Sequence, residues 1–158
     1  MAAYVPDHDI ILYSDFKKPP ARVFGVDLSR PRDRSVPLRL EGASPDLDTG
    51  HGWEWSDLRR SIVYWPKTAG AEVHELRLEG TDWRKGPWVW SRLTSRDNVI
   101  SPQPMAAENG VFSRFRLVRF TNAEIALVVN QVDGPVYAFR LPDATFSRPS
   151  APSVRLGQ

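Results

Sequence analysis

The sequence predicts an all-β protein made of three copies of one four-stranded antiparallel unit, and three observations predict it. First, Val23-Phe24-Gly25-Val26-Asp27-Leu28, Val73-His74-Glu75-Leu76-Arg77-Leu78 and Val136-Tyr137-Ala138-Phe139-Arg140-Leu141 share one alternating pattern in one phase. Second, an apolar run rich in β-branched residues precedes each of them. Third, no helical period exists; the one candidate, Met105 to Asn109, is too short and lies in a Pro-flanked stretch. The 10 Gly and 14 Pro of the 158 residues suit a chain that turns often rather than a helical bundle.

Successive side chains of a strand point to opposite faces, so Phe24/Val26/Leu28, His74/Leu76/Leu78 and Tyr137/Phe139/Leu141 are equivalent rows. The preceding runs are Ile10 to Tyr13, Ser61 to Trp65 and Ile125 to Val129. Turn residues join run to row, Lys17-Lys18-Pro19-Pro20, Pro66 to Gly70 and Asp133-Gly134, and each pair reads as a hairpin. A fourth element ending in Arg-Leu follows each row: Leu38-Arg39-Leu40, Ser91-Arg92-Leu93 and Val154-Arg155-Leu156. A shorter strand precedes each hairpin, at Ala3 to Pro6, Trp53 to Ser56 and Phe115 to Arg119.

Four antiparallel strands recurring at about 40–50 residues are the signature of β-propeller blades. The second strands are nearly continuous in apolar residues, which predicts burial on both faces for Ile62, Val63, Leu127 and Val128. The chain reads as a single repeat domain over 1–158, with blade 1 at about 3–41, blade 2 at about 52–94 and blade 3 at about 111–157. Three blades make half a propeller, and the two end faces then need completion by self-association or by a partner.

The third unit carries a more specific likeness. Asn109-Gly110-Val111-Phe112-Ser113-Arg114-Phe115-Arg116, then Ile125 to Val129, Asn130-Gln131-Val132-Asp133-Gly134 and Val136 to Leu141, resembles the C-terminal blade of bacterial galactose-oxidase-like, kelch-type β-propeller proteins. The resemblance implies the propeller fold. It does not carry the oxidase chemistry: the chain has no Cys, its three His fall at unrelated places in the repeat, and the usual Gly-Gly pair is replaced by Ser14-Asp15, Pro66-Lys67 and Asn130-Gln131.

Composition bounds the function classes. Hydrophobic residues at 41% and charged residues at 25% give the balance of a globular protein, and no apolar run approaches the ~20 residues of a membrane helix. Met1 to Ile11 has no basic start or long apolar stretch of a secretory signal, so no membrane role is expected; localisation stays open between the cytoplasm and a virion. The net charge of +2 is spread, with Lys17-Lys18 and Arg30 to Arg34 interrupted by Pro and Asp, which argues against nucleic acid as a partner. No Gly-x-Ser-x-Gly elbow, His-Glu-x-x-His or phosphate loop is present, and no cofactor is implied. Asp46 and Asp48 begin a string that lacks the further ligands of a calcium loop.

The candidate ligand-binding residues are His51, Trp53, Trp55, Asp57, Arg114 and Arg116, placed by the repeat at the loop-rich end of the blades. A His beside two Trp can stack on a sugar, and two Arg can pair with an acidic ligand; the same residues equally serve as core and as carbonyl partners. The six Trp, all within or beside the middle unit, form either a glycan platform or a core, with Trp90 and His74 read as packed. The expected function is a non-enzymatic binding or assembly protein, partnered as a homo-oligomeric two-fold ring or by a protein supplying the missing blades. A lectin-like carbohydrate-binding role and an enzyme with its site at the channel mouth are the two alternatives.

Overall fold

The computed structural model describes residues 1–15, 22–47, 50–66, 72–93, 114–121, 123–129 and 133–144, and these carry twelve strands and no α-helix. The first sheet is β1 (Ala2–Val5), β2 (Ile10–Asp15), β3 (Arg22–Asp27) and β4 (Val36–Pro37), antiparallel in that order. The second sheet runs through β6 (Gly52–Ser56), β7 (Ser61–Trp65), β8 (Val73–Leu78) and β9 (Trp88–Leu93) and ends on β5 (Leu40–Gly42). The third is β10 (Phe115–Phe120), β11 (Ala123–Val128) and β12 (Tyr137–Arg140).

The sheets therefore hold four, five and three strands, not four each. The extra strand of the second sheet is a correction to the first unit. Leu38 does return to the first sheet, its N–H donating to the Val23 carbonyl at 2.9 Å, but one residue later the Arg39 carbonyl accepts from Trp88 N–H at 2.8 Å. From there Leu40 to Gly42 run parallel to β9. An outermost strand presents unpaired backbone groups, and the connecting chain satisfies them as it passes. The expected fourth strand of the third unit, Val154 to Leu156, lies outside the described residues.

Register makes the units comparable. Tyr13 faces Phe24, Tyr64 faces His74 and Val128 faces Tyr137, so the three second strands and three third strands align residue by residue. The turns into β2 and β7 also match: Asp9 and Arg60, each directly before the strand, have φ of 50° and 55°. Positive φ is uncommon outside glycine, and its recurrence at one position marks a shared turn.

Burial follows from stacking. All five residues of β7 are buried, because the second sheet lies between the other two. On one side Ile62, Tyr64, Leu76 and Trp90 pack with Ile10, Leu12 and Val23 of the first sheet. On the other, Val63, Trp65, Val73 and Leu93 pack with Phe115, Ala126, Val128 and Phe139 of the third. Each such side chain removed from water is worth about 1.5–3 kcal/mol. Two glycines permit this closeness: a Cβ at Gly25 would stand 2.5 Å from the Trp83 ring, and one at Gly52 would stand 2.4 Å from Phe115.

The end sheets behave differently. Ile62, Val63 and Val128 are fully buried as expected, but Leu127 is only half-buried. It projects from the face of the third sheet that no described sheet covers, since its neighbours Ala126 and Val128 take the covered face. Val136 is likewise corrected: it precedes β12 and is 63% exposed, while its equivalents Val23 and Val73 are buried.

Candidate functional site

The three first strands meet. The central one, β6, packs against both β1 and β10 and sends alternate side chains to either side. Trp53 and Trp55, opposite Tyr64 and Ile62, lean to the first sheet, while Gly52, Glu54 and Ser56 lean to the third. Where β1, β6 and β10 converge they leave a cleft of about 580 Å³, bordered by Met1 to Tyr4, by Trp53, Glu54 and Trp55, and by Phe115 and Arg116.

The cleft joins an aromatic wall to a charged pair. Trp55 is half-buried and held by its indole N–H, which donates to Asp57 Oδ1 at 2.9 Å. Glu54 bridges to the third sheet, accepting from the Leu117 backbone N–H at 2.9 Å and from Arg116 at 3.2 Å. Arg116 remains largely exposed in this pair and can turn toward a ligand. Tyr4 stands at the rim, half exposed; its hydroxyl donates to Asp9 at 3.1 Å, and this bond raises its pKa above the ordinary tyrosine value.

Of the residues expected from sequence, Trp53, Trp55 and Arg116 line this cleft and Asp57 positions Trp55. His51 does not reach it. Its ring is fully buried between the first two sheets, 4.9 Å from the Tyr64 ring, with Nε2 at 3.5 Å from Ser14 Oγ. Both members of that Ser-His contact are closed to solvent, so no substrate reaches it. Arg114 stands ahead of β10, where its carbonyl accepts from Val129 N–H at 3.0 Å, and it does not border the cleft.

The row of exposed Trp does not exist. Trp53, Trp65, Trp83, Trp88 and Trp90 are all buried, and Trp55 alone is half-buried. Trp53, Tyr64 and Trp90 form a T-shaped cluster with centroids 5.6–6.3 Å apart, and the indole N–H groups of Trp53 and Trp90 have no hydrogen-bond partner inside it. Edge-to-face packing compensates part of that cost. His74 is packed as expected, 8% exposed at its side chain, and burial pushes its pKa below the usual histidine value despite Glu72 at 2.9 Å.

A second buried constellation escaped the sequence reading. Glu124 of β11 accepts from Ser56 Oγ at 2.7 and 2.9 Å and from Arg59 Nε at 3.1 Å, and Arg59 also donates to the Pro142 carbonyl. Arg59 and Glu124 are 4% and 5% exposed, so this is an internal clamp between the second and third sheets. The signal available was the lone acidic residue in a run of apolar ones at β11, which alternation places inward. Among the described residues no three His, Asp or Glu side chains converge as metal ligands.

Comparison with protein families, with curated proteins and with solved structures finds no match. The geometry of this chain is accordingly the basis for its function.

Proposed function

We propose that this chain is a non-enzymatic assembly protein: three blades of a β-propeller, completed by further blades that it does not itself carry. The observation supporting this is that β6 packs against both β1 and β10, while among the described residues the first and third sheets each have a single face covered by another sheet. Blades pack face to face, and an open stack leaves apolar end faces that mark interaction sites. The faces that no described sheet covers carry Tyr4, Ile11, Tyr13, Phe24 and Val26 at one end and Val118, Phe120, Ile125 and Leu127 at the other.

The test is the state of the purified chain. It is expected to associate, or to bind a hydrophobic dye strongly, at micromolar concentration. A compact monomer that binds no dye and stays soluble overturns the proposal and favours a self-sufficient stack of sheets.

The cleft supports a second reading, carbohydrate binding, because Trp55 offers an aromatic face beside the Glu54–Arg116 pair. A glycan array should then return hits that Trp55→Ala abolishes, and an empty array removes this reading without touching the first.

A further inference from the structure

We propose that the outward face of the third sheet docks on the outward face of the first sheet of a second copy of this chain, two copies closing a ring of six sheets. The inference rests on the blade reading above and names its partner.

Register equivalence carries it. Aligning Tyr13, Tyr64 and Val128 makes Leu12, Val63 and Leu127 one position, and Val23, Val73 and Val136 another. In the first sheet Leu12 and Val23 pack on the second; in the second sheet Val63 and Val73 pack on the third. In the third sheet no described sheet meets the same two positions, Leu127 being half-buried and Val136 63% exposed. The receiving rows show the same series. Leu76 and Leu78 face the first sheet, Phe139 and Leu141 face the second, and their equivalents Val26 and Leu28 face nothing described, Leu28 being 36% exposed.

Among the described residues the third sheet thus offers a donor row, and the first a receiving row, of the kind the three sheets already join twice. A second copy satisfies both at once, by a head-to-tail contact. The chemistry of the faces agrees. The receiving face is aromatic, with Tyr13 and Phe24 stacked at 5.3 Å and Tyr4 hydrogen-bonded to the Asp9 carboxylate. The donor face carries the exposed Arg140 beside Ile125, a cation suited to aromatic rings and a carboxylate. Propellers close with about 4–8 blades, and six is the multiple of three in that range.

The experiment uses two single variants, Ile11→Lys on the receiving face and Leu127→Lys on the donor face, with mass read by sedimentation and folding by circular dichroism. Wild type should sediment at twice 17.9 kDa. Each variant alone carries the charge in both interfaces of a ring and should lose the two-chain species at least tenfold in concentration. An equimolar mixture keeps one interface free of either lysine and should recover it. Variants that were simply misfolded would not recover on mixing. If wild type associates but one variant still forms the two-chain species, or mixing restores nothing, head-to-tail closure with a second copy is wrong while the blade reading stands. A wild-type mass well above two chains refutes the six-sheet ring, a monomer that binds a hydrophobic dye refutes the ring alone, and a compact monomer that binds none refutes both proposals.

Discussion

Removing the carboxylate of Glu124 should be among the most damaging single changes to this fold. Glu124 and Arg59 have side chains only 4% and 3% exposed, and the second oxygen of the carboxylate is held by Ser56 as well as by Arg59. In Glu124→Ala the guanidinium keeps the Pro142 carbonyl but loses its counter-charge while almost wholly buried. Breaking one side of a buried pair costs about 3–5 kcal/mol, against a whole-domain stability of about 5–15 kcal/mol. For a chain of this size each kcal/mol moves the midpoint by about 2–4 °C, so Glu124→Ala should melt roughly 6–20 °C below wild type. The double variant Arg59→Met with Glu124→Leu removes both charges and should recover most of that loss, since apolar isosteres of a buried pair are often neutral. Differential scanning calorimetry on the three proteins decides it. A single variant within about 3 °C of wild type, or a double variant as unstable as the single, would show that the pair is solvated and the clamp unimportant.

Gly52→Ala should cost about 1–3 kcal/mol, because the new Cβ meets the Phe115 ring at 2.4 Å in a packed interface, and urea titration of the variant measures it. Asp27 is held at about 2 by hydrogen bonds from Ser29 and then by Arg84, so its contribution is present above the ordinary carboxylate pKa and lost as pH falls through about 4 to 2. Denaturation of wild type and Asp27→Asn at pH 6 and at pH 2 should show a difference at the first that is mostly lost at the second. His74 has its pKa lowered, chiefly by burial, so the unfolded chain takes up the proton first and stability should fall as pH drops below about 6.5. Melting His74→Phe at pH 5 and pH 7.5 should show a smaller pH dependence than wild type.

Strand identity was legible in the sequence because it rests on alternation, which survives in every unit: β7 and β8 start and end where the pattern of Ser61 to Trp65 and Val73 to Leu78 says. The destination of Leu40 was not legible. Its Arg-Leu ending matches the other units, and only the free edge of β9 draws it into a second sheet. At the candidate cleft, Trp55 and Arg116 were found because aromatic and basic residues on first strands stand out. Tyr4 and Glu54 were missed because each belongs to a strand whose side-chain direction is settled only by the neighbouring sheet. His51 was misplaced for the opposite reason: beside Trp53 in sequence, it points between sheets toward Tyr64 rather than into the loop cluster.

The arrangement of charge answers a problem that the repeat creates. If Leu12, Val63 and Leu127 occupy one position, apolar packing alone does not specify which sheet stacks on which, and wrong orders are competitive. The ion pairs between sheets do specify it. Arg60 with Asp7 and Arg84 with Asp27 join the second sheet to the first, while Arg59 with Glu124 and Arg116 with Glu54 join it to the third. No residue is shared between the two sets, so exchanging the end sheets would leave each charge facing the wrong neighbour. The exposed members contribute little stability individually, about 0–1 kcal/mol. Their effect lies in the difference between alternatives, since a mismatched stack must bury Arg59 or Glu124 unpaired. The apolar rows thus supply most of the binding strength between sheets, and four unequal ion pairs select the order in which those sheets stack.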